Sequence, residues 1–144
     1  AELAGEMSGH IFFKERWYGF DDALYTGARL LEIISKSNKS CSEIFDEMPV
    51  NISTPEININ FEKHGQQFEA MDKLSVDVNF PNATINTIDG VRVDYENCWG
   101  LVRASNTTPC LVLRFEANDN ESLNKIKAKF AQWLRSNGIS SDSL

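Results

Sequence analysis

The sequence predicts an α+β fold: a C-terminal domain of order β-α-β-β-β-β-α, with a largely antiparallel sheet and both helices on one face, preceded by a strand-helix fragment of an α/β domain. Three observations predict it. Four runs rich in β-branched and aromatic residues follow one another between residues 83 and 116, with links too short for a crossover, so neighbouring strands must run antiparallel. One amphipathic helical pattern precedes this block near Gln66 and another follows it after Asn118. The stretch Met48-Pro-Val-Asn-Ile-Ser-Thr-Pro55 carries two prolines and no periodicity, and so separates the block from an earlier strand and helix.

Taken in order, Ile11 to Phe13 reads as a short strand. Asp21 or Asp22 can cap a helix running to about Ser35, whose apolar stripe is Leu24, Ala28, Leu31 and Ile34; nothing adjacent in the sequence obviously covers it. The domain boundaries are then 1–48 for the leading fragment, 49–54 for a hinge, 55–137 for the α+β domain and 138–144 for a polar tail. From Glu56 to Phe61, Ile57 and Ile59 alternate with polar neighbours, as in a strand. A helix from about Gln66 presents Phe68, Met71 and Leu74. Strands follow at about Ala83 to Ile88, Val91 to Tyr95, Trp99 to Ala104 and Cys110 to Glu116, with Asp89-Gly90 as a tight hairpin turn. Four or five strands in all are expected. Asn118 and Glu121 have capping-box spacing, Leu123, Ile126, Phe130 and Trp133 form one face of the closing helix, and Gly138 stops it.

The formal net charge of -7 excludes the basic stripe that a nucleic-acid surface requires, while a small phosphorylated ligand needs only a local cluster of donors. No apolar run is long enough to span a bilayer, and the start, AELAGEMSGH, lacks a basic segment followed by a hydrophobic one. We read a cytoplasmic protein with no nucleic-acid or membrane partner. Cys41, Cys98 and Cys110 form no CxxC pair. In the proposed hairpin Cys98 and Cys110 stand about 20 Å apart, too far for a disulfide. The N-x-S/T sequons at Asn38, Asn51, Asn82, Asn106 and Asn120 are read as chance in an Asn-, Ser- and Thr-rich chain. Beginning at Ala1 within a few residues of a motif, the chain reads as truncated.

Two segments concentrate chemistry. Arg103-Ala-Ser-Asn-Thr-Thr-Pro109 places a guanidinium, a carboxamide and three hydroxyls between two apolar strands. Arginine's planar fork matches phosphate oxygens, and Ser105, Asn106, Thr107 and backbone N–H groups can complete a cradle. On residue types alone, a polar turn with Arg103 solvated at a strand end is the simpler reading. Gly5-Glu-Met-Ser-Gly-His10 brackets a carboxylate and a hydroxyl between glycines and ends on an imidazole. Glu6 could accept bonds from two neighbouring sugar hydroxyls, Ser8 could donate or accept beside it, and His10 could carry a proton; an exposed glycine turn accounts for the same residues. His64 has no ligand-type neighbour at metal spacing, and no metal site is read in the chain. Phe12, Phe13, Trp17, Tyr18 and Phe20 read as packing aromatics.

GEMSGHIFF near the start, with DGVRV and WGLVRASNTTPCLVLRFEA later, resembles the α-D-phosphohexomutases, specifically the bacterial phosphomannomutase/phosphoglucomutases, over nearly the whole chain. The resemblance implies four domains around one cleft, of which this chain would hold the end of the third and all of the fourth. It implies that Glu6 and Ser8 contact sugar hydroxyls, that Arg103, Ser105, Asn106 and Thr107 bind the phosphate remote from the reacting end, and that His10, a catalytic candidate, neighbours the active site. Met7 favours the phosphomannomutase/phosphoglucomutase branch over phosphoglucosamine mutases, which remain the alternative branch. The implied reaction shifts phosphate between O1 and O6 of a mannose- or glucose-type hexose through a hexose 1,6-bisphosphate and an enzyme phosphoserine, with Mg2+ held elsewhere in the enzyme. Neither the serine-nucleophile loop nor the Asp-rich magnesium loop of the family is found here. The chain alone is therefore expected to be inactive, its partners being a phosphorylated hexose and the remaining domains; a mobile, non-catalytic lid or phosphosugar-binding module is the competing reading.

Overall fold

Asp22 opens the first helix as a cap of the expected kind: its side chain accepts the Tyr25 N–H at 3.0 Å. The computed structural model describes every residue except Met7 and Asp77, and the chain divides into two units, Ala1–Pro49 and Val50–Leu144. The first contains β1 (Leu3–Gly5), β2 (Ile11–Phe13), α1 (Ala23–Lys36) and α2 (Cys41–Asp46). Two of these escape the sequence reading. β1 pairs antiparallel with β2, Gly5 opposite Ile11, so the glycine-rich segment is the loop of a hairpin. α2 is short but carries a full capping box, Ser40 with Glu43.

Helix α1 leaves most of its apolar stripe uncovered, as the lack of an adjacent cover implies: Leu24, Ala28 and Leu31 are exposed and Ile34 is half-buried. Its half-buried face is Tyr25, Arg29 and Glu32, with Tyr25 stacked on Trp17 at 4.3 Å and the Arg29 guanidinium 4.7 Å above the Phe13 ring. Leu24 and Leu31 stay exposed, and none of the described residues of α1 is buried. Phe13 and Trp17 thus pack as expected, whereas Tyr18 is 82% exposed.

The second unit contains β3 (Ile52–Ser53), β4 (Ile57–Asn60), α3 (Gln66–Val76), β5 (Thr84–Asn86), β6 (Val91–Asp94), β7 (Cys98–Ala104), β8 (Cys110–Ala117) and α4 (Asn120–Ser136). Six strands form one antiparallel sheet in the order β3-β8-β7-β6-β5, with β4 also on β8. The α+β architecture is as predicted, with more strands than expected. The additional strand lies inside the proline-bracketed stretch read as a hinge. Ile52 and Ser53 pair with Ala117 and Glu116, and Ile57 to Asn60 pair with Leu113 to Cys110, so β3 and β4 lie end to end along one edge. Thr54 bridges the interruption: its N–H donates to Phe115 O at 2.9 Å and its hydroxyl accepts the Phe115 N–H at 3.2 Å. A side-chain oxygen thus serves as the ladder acceptor for the Phe115 N–H beside Pro55, at a sheet edge where a residue without an N–H is tolerated.

Alternate residues of β8, Leu111, Leu113, Phe115 and Ala117, are buried with Val91, Val93 and Val102. Both α3 and α4 contact β7 and β8 on this face, as the order of elements requires. Gly100 permits the close approach of α4, since a Cβ there would come within 2.6 Å of the Phe130 ring. Two local readings are corrected, and the tail gains an anchor. Asp119, not Asn118, caps α4, accepting the Ser122 N–H at 2.7 Å, because a carboxylate one residue later meets the free N–H groups directly. Phe68 is 38% exposed, and fully buried Gln67 takes the inward place on α3. The polar tail is anchored, with Ile139 and Ser141 buried and Arg135 Nη1 donating to the Ser141 hydroxyl at 2.7 Å. All three cysteines are free, and Cys98 pairs with Ala117 at the end of the β7–β8 ladder away from Cys110.

Candidate functional site

Arg103 and the polar residues after it stand at the tip of the longest hairpin, where β7 turns into β8. The tip is closed by Ser105 N–H donating to Cys110 O at 3.0 Å and is tied to the end of β4 by Phe61 N–H donating to Pro109 O at 2.7 Å. Within it, the Ser105 hydroxyl oxygen accepts the N–H groups of Thr107 and Thr108 at 3.3 and 3.2 Å. That local bond folds the chain into a compact turn. It also gathers three hydroxyls, with Ser105 Oγ 3.4 Å from Thr107 Oγ1 and 2.9 Å from Thr108 Oγ1. Asn106 is exposed at the apex.

The Arg103 side chain is 45% exposed and lies 3.4 Å from Asp89 Oδ2, through Nη1. This is long for a charge-assisted bond. Asp89 therefore holds the guanidinium only loosely. The contact depends on Gly90, whose φ of +79° and close approach bring the β5–β6 turn against Arg103. Two concavities of this unit, about 360 Å³ each, lie around Tyr95 and Lys129 and include none of these residues.

Glu6, Ser8 and His10 meet in the β1–β2 loop. Glu6 N–H donates to His10 O at 2.9 Å, Gly9 N–H donates to Glu6 O at 3.0 Å, and the Ser8 hydroxyl donates to Glu6 Oε2 at 3.1 Å. The carboxylate and hydroxyl thus present one polar group on a closed turn; Met7, the residue read as favouring one branch, lies outside the described residues. His10 Nδ1 is 2.5 Å from Asp21 Oδ2, and Asp21 Oδ1 accepts the Ile11 N–H at 3.3 Å. The hydrogen bond to Asp21, followed by that residue's charge, raises the His10 pKa above the ordinary 6.5. Asp21 accepts at Nδ1, so Nε2 is the ring nitrogen that this pair does not engage.

The structure also supplies residues that the sequence reading passed over. Thr108 completes the hydroxyl cluster, Gln67 holds its backbone from beneath, Asp89 flanks Arg103 and Asp21 orients His10. A third hydroxyl in RASNTTP was visible in the sequence. The other three act across the fold, at separations no local pattern reveals.

Comparison with known proteins bears on both units. Residues 56–132 match the family description "Phosphoglucomutase/phosphomannomutase, C-terminal domain", and residues 1–51 match "Phosphoglucomutase/phosphomannomutase, alpha/beta/alpha domain III". The chain belongs to the phosphoglucomutase/phosphomannomutase family. It is 60% identical over 132 residues to a phosphomannomutase/phosphoglucomutase of Pseudomonas putida, covering 92% of this chain and 28% of that protein. With a phosphoglucomutase of Neisseria gonorrhoeae it shares 51% over 138 residues, covering 95% of this chain and 30% of the relative. A crystal structure of a phosphoglucomutase/phosphomannomutase family protein from Burkholderia thailandensis superposes with a TM-score of 0.84 at 47% identity, over 96% of this chain and 29% of that one. The chain thus corresponds to the C-terminal part of this family and spans less than a third of the length of these relatives.

Proposed function

We propose that this chain is the substrate-gripping end of a mutase that moves phosphate between O1 and O6 of a mannose- or glucose-type hexose, through a hexose 1,6-bisphosphate and an enzyme phosphoserine. The observation that carries the reading is the β7–β8 tip, where exposed Arg103 stands near the end of β7 and the hydroxyls of Ser105, Thr107 and Thr108 gather in the turn that follows it. Arg103, Ser105, Asn106 and Thr107 hold the phosphate that is not reacting. Catalysis of phosphoryl transfer is chiefly positioning and charge stabilisation, so a firm grip on the spectator phosphate sets the other end of the sugar in line. Glu6 and Ser8 take the sugar hydroxyls, and His10 exchanges a proton at Nε2. Because the bisphosphate must present each end in turn, the tip has to accept either phosphate. The names of the relatives, phosphomannomutase/phosphoglucomutase and phosphoglucomutase, support this substrate class.

When bound, Mg2+ supplies charge neutralisation at the transferring phosphoryl group. Among the described residues, no group of three or more His, Cys, Asp or Glu side chains could hold a metal. The ion and the phosphoserine belong in this proposal to other parts of a cytoplasmic, multidomain enzyme. The test is turnover by the full-length protein: it should interconvert glucose 1-phosphate and glucose 6-phosphate, and the mannose pair likewise, while the 144-residue chain alone should do neither. A full-length protein inactive on both pairs, or an active isolated chain, overturns the reading.

A further inference from the structure

We infer that Gln67 is a positioning residue for the phosphate-holding tip, an inference that rests on the assignment of that tip above. Gln67 is a fully buried polar side chain in the first turn of α3, where helical packing would favour an aliphatic residue. Its carboxamide is satisfied by the backbone alone. Oε1 accepts the Gly65 N–H at 2.8 Å, while Nε2 donates to Ser105 O at 3.2 Å and Thr108 O at 3.4 Å. The Gly65 bond settles which end of the amide is which, since an N–H can be met only by the oxygen. The NH2 group is thereby committed to the two carbonyls.

Those carbonyls bracket the residues whose hydroxyls form the cluster. A carbonyl oxygen is the one backbone group that repels a phosphate, so an anion-holding turn works only if its carbonyls are held away from the ligand. Gln67 holds two of them from the core side. The Ser105 hydroxyl meanwhile gathers the N–H groups of Thr107 and Thr108. Without the carboxamide Ser105 O loses its buried donor and Thr108 O is left with the Cys110 N–H at 2.8 Å, so the turn is less firmly ordered when a ligand arrives. The cost falls on binding rather than on the chemical step.

The test uses the full-length protein with Gln67→Met, which keeps the volume, and Gln67→Glu, which keeps the shape and the Gly65 bond but turns an oxygen toward the carbonyls. KM for glucose 1-phosphate and the inhibition constant of inorganic phosphate should each rise about five- to thirtyfold, with kcat within about threefold. A lowered thermal midpoint with both constants unchanged would show Gln67 to be merely structural and overturn the inference; if Gln67→Met does not fold, Gln67→Glu decides. Arg103→Ala separates the two layers. If it leaves both constants unchanged, the assignment of the tip fails; if it raises them while the Gln67 variants do not, only the present inference fails. In the double variant the rises should combine to less than their product, because both residues serve one phosphate.

Discussion

Replacing Gly90 with Ala joins the fold to the site and can be worked from the geometry. Gly90 has a φ of +79°, and a Cβ there would lie 2.1 Å from Val102 O and 2.7 to 2.8 Å from Arg103 Cβ and Cα. Two costs therefore add. The left-handed conformation costs a residue with a Cβ about 1–2 kcal/mol, and forced overpacking typically costs about 1–3 kcal/mol. The upper part of that second range applies, because the obstacles include backbone that no rotamer change can clear. Gly138 isolates the first cost: its φ is +77°, but nothing lies within 4 Å of an added Cβ. Gly138→Ala should destabilise by about 1–2 kcal/mol and Gly90→Ala by about 3–5 kcal/mol. At roughly 4–8 °C per kcal/mol for a domain of this size, the Gly90 variant should melt roughly 8–24 °C below the Gly138 variant. Urea unfolding followed by circular dichroism and scanning calorimetry measure the pair. Equal losses in the two variants would refute the steric argument. The Gly90 variant should also bind sugar phosphate more weakly, since the displaced atoms include those of Arg103.

Other consequences follow from burial and charge. Phe130 is fully buried among Phe80, Phe115 and Trp133, so Phe130→Ala should cost about 3–5 kcal/mol in a urea titration. The His10 resonance should titrate above 6.5 in NMR and fall back toward that value in Asp21→Asn. Because the folded pKa is raised, the stabilisation from this pair is complete below 6.5 and is lost as pH rises through the folded value. In the 144-residue chain, amides of α1, with no buried residue described, should exchange faster than those of α4, which buries six side chains.

The sequence was most informative where side-chain period and chain order coincide. The β7–β8 hairpin, the apolar face of α4 and the polar tip at Arg103 are all local patterns. The errors arose where a distant partner overrides local preference. Pro49 and Pro55 signal a break in the chain, yet Ile52 and Ser53 between them form a strand because β8 offers an open edge and the Thr54 hydroxyl replaces a missing ladder bond. The apolar stripe of α1 is largely uncovered, in line with the absence of an adjacent cover in the sequence, but the aromatic and cationic contacts that Tyr25 and Arg29 make with Trp17 and Phe13 were not legible there. Gln67 carries no signal in the sequence. Its partners lie 38 and 41 residues away, and no local pattern could announce them.

The central claim is that the β7–β8 tip holds the spectator phosphate, and the kinetics of Arg103→Ala in the full-length protein test it most directly. A charge-assisted bond is worth about 1.5–3 kcal/mol, so kcat/KM should fall about ten- to hundredfold. The fall should be similar for glucose 1-phosphate and glucose 6-phosphate, because each substrate in turn places its non-reacting phosphate, and then the bisphosphate, at the same tip. Wild-type kcat/KM with both substrates would contradict the account.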